Sequence, residues 1–254
     1  MVIAVDIGNT NIVIGCFSKE KVVFTERVST NHTATALEYA ISFKTVLELY
    51  GITSADIGGA IISSVVPSVT LTVKEAIRKI TGKTAMVVGP GIKTGLSITI
   101  DNPAQLGSDL VVDAVGGINE YPLPLIIFDM GTANTVSVID EEKNYLGGMI
   151  MPGLKVSVDS LTGKTSQLPK ISLEPPKRLI GKNTVECMKS GILYGTAAQI
   201  DGIIHRINED RGCVHTVIAT GGLASTVVPL CKEKIILDDA LLLKGLMVIY
   251  SKNI

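Results

Sequence analysis

The chain writes one short phrase twice. Ala4-Val5-Asp6-Ile7-Gly8-Asn9-Thr10-Asn11-Ile12-Val13 is echoed 123 positions later by Ile127-Phe128-Asp129-Met130-Gly131-Thr132-Ala133-Asn134-Thr135-Val136. Each copy reads as an apolar strand ending in Asp-x-Gly, a small polar turn, and a second apolar strand. A carboxylate at a strand end beside a glycine turn lies next to backbone N–H groups, which suits a metal ion and a phosphate held together. Two facing copies would form a phosphate clamp between related domains.

The order of elements supports a duplication. In the first half, short apolar runs at residues 2–5, 12–17 and 22–28 predict three strands, with Ser18-Lys-Glu-Lys21 as a hairpin link. Helical spacing over 34–50 puts Leu37, Ile41, Val46 and Leu49 near one face. A strand at 60–65, a helix at 68–81 and a strand at 85–88 complete a βββαβαβ order. The second half repeats it, with strands at 125–129, 135–139 and 145–151 and a helix at 154–161. A long helix then opens at Asn183, where Asn183-Thr-Val-Glu186 has the form of a capping box, and runs to about Ile207. A strand at 216–219, a helix at 223–230, a strand at 234–236 and a helix at 240–250 follow. A twice-used βββαβαβ order implies duplicated ribonuclease-H-like, actin-like domains of class α/β, each a mixed five-stranded sheet with flanking helices, divided as 1–116 and 117–254.

Composition narrows the functional classes. With 46% apolar and 19% charged residues the chain can build real cores, so disorder is excluded. No apolar run approaches the roughly 18 residues of a membrane span. The formal net charge of −1 comes with no basic run, so no nucleic-acid partner and no membrane partner is expected. Cys16, Cys187, Cys213 and Cys231 lack paired spacing and no signal-peptide pattern opens the chain, which implies a reduced, cytoplasmic protein without structural zinc. His205 and His215 read as satisfied surface histidines, Cys187 as a packing residue, and Lys177-Arg178 as a solvated loop.

Further motifs stand in order between and after the two turns: Ser63-Ser-Val-Val-Pro67, Asp101-Asn-Pro103 with Gly107-Ser-Asp109, Gly147-Gly-Met-Ile-Met-Pro-Gly153, Gly181-Lys-Asn-Thr184, Ser190-Gly-Ile-Leu-Tyr-Gly195 and Ala219-Thr-Gly-Gly222. Together with the turns they resemble the type III pantothenate kinases, the bacterial enzymes that open coenzyme A synthesis. The resemblance runs from Val2 to about Tyr250. It implies phosphorylation of pantothenate to 4′-phosphopantothenate by ATP with Mg²⁺ and a monovalent cation, K⁺ or NH₄⁺, in a homodimer.

By the same resemblance, Asp6, Ile7, Gly8, Asn9, Thr10, Asn11, Ile12, Val13 and Thr132 bind ATP, with Asp6 ordering magnesium. Asp129 helps bind the monovalent cation. Asp109 accepts the proton of the attacking hydroxyl, and Ile100, Gly107, Ser108, Asp109, Leu110 and Thr184 contact substrate. Ser108 or Asp109 can also cap a helix starting at Leu110. A glycine pair at Gly221-Gly222 would let adenine or ribose lie against backbone. The family's usual pattern at the base is Gly-Ala-Asp-Arg, whereas this chain has Leu110 for the arginine, and Ile100 where many relatives carry an aromatic. Two other readings accompany the first: a diverged paralogue acting as a nucleotide-binding or regulatory protein, and a kinase for another small metabolite.

Overall fold

The computed structural model describes residues 1–19 and 21–254, so Glu20 of the expected hairpin link lies outside the described residues. The chain begins with β1 (Val2–Ile7), β2 (Asn11–Ser18), β3 (Lys21–Ser29), α1 (Ala36–Leu49), β4 (Gly59–Ser64), α2 (Pro67–Thr81) and β5 (Met86–Val87). There follow β6 (Ser97–Ile98), α3 (Ser108–Glu120), β7 (Leu125–Met130), β8 (Ala133–Ile139) and β9 (Asn144–Pro152). Next are α4 (Leu154–Lys164), α5 (Thr184–Arg211), β10 (Thr216–Thr220), α6 (Ala224–Val227), β11 (Ile236–Leu237) and α7 (Leu241–Ser251). They form two compact units: Met1–Leu96 with Asp101–Asn119 and Ala240–Ile254, and Ser97–Ile100 with Glu120–Asp239.

The first unit holds a sheet of order β3-β2-β1-β4-β5. β1 pairs antiparallel with β2 and parallel with β4. Strand alternation sends Ile3, Val5 and Ile7 into a core with Phe43 of α1 and Val73 and Ile77 of α2. It sends Ala4 to the opposite face, where Ile61 and Phe17 meet Val112 and Val115 of α3 and Leu243, Leu246 and Ile249 of α7. Both faces are therefore dry.

α1 begins at Ala36, two residues after the expected start, because Thr35 and Glu38 form a complete capping box there. Its buried stripe is nevertheless Tyr39, Ala40, Phe43, Val46 and Leu47. Of the residues assigned to the core face from their spacing, only Val46 is buried, while Leu37, Ile41 and Leu49 are exposed. The helix carries two apolar stripes, and the one bearing aromatic bulk packs inward.

The second unit holds a sheet of order β11-β10-β7-β8-β9-β6. Four strands match the expected set, and β11 overlaps the one expected at 234–236 only at Ile236. The sixth, β6, adds parallel to β9 through Ser97↔Asn144 and Ile98↔Tyr145. Ile126, Phe128, Met130 and Val136 pack with Leu154 and Val158 of α4 and Leu193, Ala197, Ile200 and Ile204 of α5. At the start of α5 the Asn183 side chain accepts from the Glu186 N–H at 3.0 Å. The Glu186 carboxylate accepts from the Lys177 N–H at 3.0 Å instead of closing a capping box. The expected helix at 223–230 splits into α6 and a 3₁₀ turn, Val228–Leu230, since Pro229 has no N–H to continue it.

Candidate functional site

In the first unit β1 delivers Asp6 to the sheet's edge of turns. Its Cα partners are Val13 on β2 and Ser63 on β4. Beyond Ile7 the chain turns tightly, and the Gly8 N–H donates to the Asn11 carbonyl at 3.0 Å. That amide is thus engaged inside the turn. Thr30, just past β3, donates its hydroxyl to the Gly8 carbonyl at 2.6 Å and its N–H to the Thr10 carbonyl at 3.0 Å.

Asp109 reaches the same unit by a separate route. Its helix, α3, starts at Ser108, two residues earlier than the expected Leu110. The Ser108 hydroxyl does not cap that helix. It accepts from the Ser64 N–H at 3.1 Å, donates to the Ser64 carbonyl at 2.9 Å, and lies 3.2 Å from the Ser63 hydroxyl. Because Ser63 and Ser64 stand beside Asp6 and Ile7 in the β1–β4 ladder, this staple fixes the start of α3 to the strand ends that carry the turn. Ser63 is fully buried, and Ser63 and Ser64 had motif status in the sequence without a role.

The Asp109 carboxylate accepts from the Leu110 N–H at 2.8 Å. Burial nonetheless holds its proton affinity above that of an ordinary carboxyl, and the local backbone N–H groups offset only part of that shift. Gly107 lies directly against it, and a Cβ there would overlap Asp109 Oδ1. On the role that the resemblance implies for Asp109, Gly107→Ala is expected to displace the carboxylate and slow turnover about 10- to 100-fold. Its melting temperature should shift by less than about 2 °C, because a side-chain oxygen can move aside. Steady-state kinetics with a thermal melt checks this.

In the second unit β7 delivers Asp129 in the same way, with Gly131 N–H donating to the Ala133 carbonyl at 3.1 Å. The hairpins differ in register. Four residues separate the pair Ile7↔Ile12, but three separate Met130↔Asn134. Asp6 therefore faces Val13, whereas Asp129 faces Thr135, one position short of the residue that repeats Val13. A one-residue slip exchanges the faces of a strand. Asn134 is buried where Asn11, its echo in the sequence, is exposed. Among the described residues, Asn134 Oδ1 and Thr135 Oγ1 are buried without a hydrogen-bond partner.

The turn after β10 closes on Asp129. Thr220 is its Cα partner, and Gly221, at φ +92°, lies against Asp129 Oδ1 and the backbone of Met130. Thr132 is exposed, and its carbonyl accepts from the Gly153 N–H at 3.1 Å. Thr184, the first residue of α5, is exposed, and Ile100, just past β6, is half-buried. Of the sequence-derived candidates, residues 6–13 and 107–110 lie in the first unit and Ile100, Asp129, Thr132 and Thr184 in the second.

Three side readings need correction or refinement. Cys187 is exposed on the first turn of α5, so it is not a packing residue. His215 is buried, with Nδ1 2.8 Å from Asn208 Oδ1, and burial lowers its affinity for a proton. His205 is at the surface beside Glu209 at 3.2 Å. No group of three or more His, Cys, Asp or Glu able to hold a metal occurs among the described residues. Among the described residues no helix is long and apolar enough to cross a membrane.

The profile of the type III pantothenate kinases matches residues 2–206. A type III pantothenate kinase of Halalkalibacterium halodurans is 41% identical over 254 residues, covering 100% of both chains. One from Bacillus cytotoxicus is 43% identical over 253 residues, covering 100% of this chain and 97% of its own. Among solved structures, (R)-2-hydroxyglutaryl-CoA dehydratase component A of Acidaminococcus fermentans aligns with a TM-score of 0.57 at 16% identity, covering 98% of this chain and 96% of that one. A ROK hexokinase of Thermus thermophilus aligns at 0.50 and 11%, covering 99% of each. At such identities the likeness shows the fold alone, the duplicated ribonuclease-H-like one. On full-length identity above 40% and a matching profile, the chain belongs to the type III pantothenate kinase family.

Proposed function

We propose that this chain transfers the γ-phosphoryl group of ATP to the primary hydroxyl of pantothenate, giving ADP and 4′-phosphopantothenate. The observation that carries the reading is the fixed, half-buried Asp109 carboxylate at the start of α3, stapled beside the Asp6 turn through Ser108. In a loose phosphoryl-transfer transition state the base chiefly orients the hydroxyl and takes its proton late. A carboxylate with raised proton affinity does this better than an exposed one.

Asp6 would hold Mg²⁺ together with the ATP phosphates, in keeping with a metal that retains water and takes only one or two carboxylates. Mg²⁺ supplies charge neutralisation on the phosphate oxygens. Asp129 would hold K⁺ or NH₄⁺. The unpartnered Thr135 hydroxyl, across from Asp129 on the neighbouring strand, supports an oxygen-lined site for such an ion. Residues 6–13 and Thr132 would contact ATP, while Ile100, Gly107, Ser108, Leu110 and Thr184 would contact pantothenate. The two copies of the duplicated fold are read as 1–116 and 117–254, the protein as a cytoplasmic homodimer acting on small molecules and not on nucleic acid or membranes.

The test is ADP release by the natural protein with Mg²⁺ and K⁺, comparing pantothenate with a panel of sugars. Release that depends on pantothenate is expected. Release driven equally by a sugar, or none above the ATP-only background, would sink the reading.

A further inference from the structure

We propose that Thr30 is a positioning residue for the first turn, holding two of its peptide planes so that the Asn9 and Asn11 amides face the nucleotide phosphates. The proposal rests on the reading of residues 6–13 as an ATP site. Thr30 lies outside that segment, past the end of β3, and nothing in its own sequence neighbourhood marks it.

Geometry carries the inference. The Thr30 hydroxyl donates to the Gly8 carbonyl at 2.6 Å, and the Thr30 N–H donates to the Thr10 carbonyl at 3.0 Å. The only cis peptide among the described residues is Leu123–Pro124, so the 8–9 and 10–11 peptides are trans. In a planar trans peptide the N–H points opposite to the C=O. Fixing the carbonyls of Gly8 and Thr10 toward Thr30 therefore turns the N–H groups of Asn9 and Asn11 away from it. Two amides spaced by one residue and aimed to one side make a concave donor pair for an anion. The Gly8 amide is not part of that pair, being bonded to the Asn11 carbonyl at 3.0 Å.

Gly8 also explains why an anchor is needed. Glycine leaves the adjoining 8–9 peptide free to rotate, so without a partner its carbonyl could occupy the phosphate side. Thr30 is itself held rigidly from the core. The Asn31 N–H donates to the Tyr39 hydroxyl at 2.9 Å, and that hydroxyl donates to the Asn31 carbonyl at 2.9 Å. Tyr39 is buried in α1. The line of support thus runs from the helix core through residue 31 to Thr30 and into the turn.

The test uses Thr30→Val, which keeps the side-chain shape and the backbone bond but deletes the hydroxyl, beside Thr30→Ser, which restores it. Calorimetric titration with Mg²⁺ and ATP should show the valine variant binding about fivefold to tenfold more weakly, the scale of one hydrogen bond. The serine variant should regain the natural affinity, and the KM for pantothenate should stay unchanged in both. A folded Thr30→Val with natural ATP affinity overturns the proposal, as does a rise in both KM values together. Amide hydrogen exchange on the natural protein supplies a readout independent of either variant. Adding ATP should slow exchange at Asn9 and Asn11 and leave Gly8 little changed. Unaltered Asn9 and Asn11 amides would refute the assignment. If the natural protein binds no ATP at all, the phosphate-turn reading falls and the proposal with it.

Discussion

Asp109→Asn is expected to lower kcat by about 10²- to 10⁴-fold, the usual contribution of a positioned general base. ATP affinity should stay near the natural value, because the phosphate turn is built by β1, β2 and Thr30 and not by α3. The asparagine Oδ1 can still accept from the Leu110 N–H, so the start of the helix is preserved. Stability should move the other way. Burial raises the folded-state proton affinity of Asp109 above that in the unfolded chain, so ionising it costs stability as pH rises through and beyond the ordinary carboxyl range. A neutral amide removes that cost, and the melting temperature at neutral pH should rise by about 1–3 °C. The same shift sets the acid limb of the natural enzyme. Turnover should fall as the pH drops through the raised Asp109 value, above the ~4 of an unperturbed aspartate. Kinetics with pantothenate, ATP calorimetry and thermal melts across pH 4–8 measure all three effects. Retained turnover in Asp109→Asn removes that residue from its role.

The second large effect is structural. Gly221→Ala should destabilise the fold by about 2–4 kcal/mol and lower the melting temperature by roughly 5–12 °C. Gly221 adopts φ +92°, which a side chain resists, and its Cβ would collide with Asp129 Oδ1 and the Met130 backbone. Relief requires moving either β7 or the Asp129 carboxylate, so the second turn would be damaged along with stability. Gly202→Ala is the contrasting control. Gly202 lies within α5 with nothing near its missing Cβ, so alanine should stabilise by about 0.5–1 kcal/mol. Equal melts for the two variants would refute the close approach at Gly221.

Much of this architecture was legible because its signals are local. Apolar runs ended by Asp-x-Gly and the Asn183 cap at the start of α5 each fix an element with a few neighbouring residues. The unread parts depend on distant partners. β6 is two residues long and exists only because β9 offers an open edge. Its pairing also places Ile100, with Thr99 donating its N–H and hydroxyl to the Tyr145 carbonyl at 3.1 and 2.9 Å. The slip between the two hairpins escaped the repeat because the letters align while the loops differ by one residue. Thr30 and the Ser63–Ser64–Ser108 staple escaped for a related reason. Their importance lies in which carbonyls and hydroxyls they meet after folding, and no spacing encodes that. The raised proton affinity of Asp109 is likewise a property of burial, invisible in Gly-Ser-Asp-Leu.

The packing of α7 carries a consequence for how the chain comes off the ribosome. Leu243, Leu246 and Ile249 seal one face of the first sheet, although every strand of that sheet is synthesised before residue 90. Until α7 has left the exit tunnel, Phe17, Ile61 and their neighbours on that face lack half of their cover. Strands β7 to β11, by contrast, are all available before α7 is made. Vectorial synthesis therefore lets the later-made unit settle first, while the earlier-made one waits for the final helix. During that interval a half-covered apolar sheet face is open to chaperones or to aggregation.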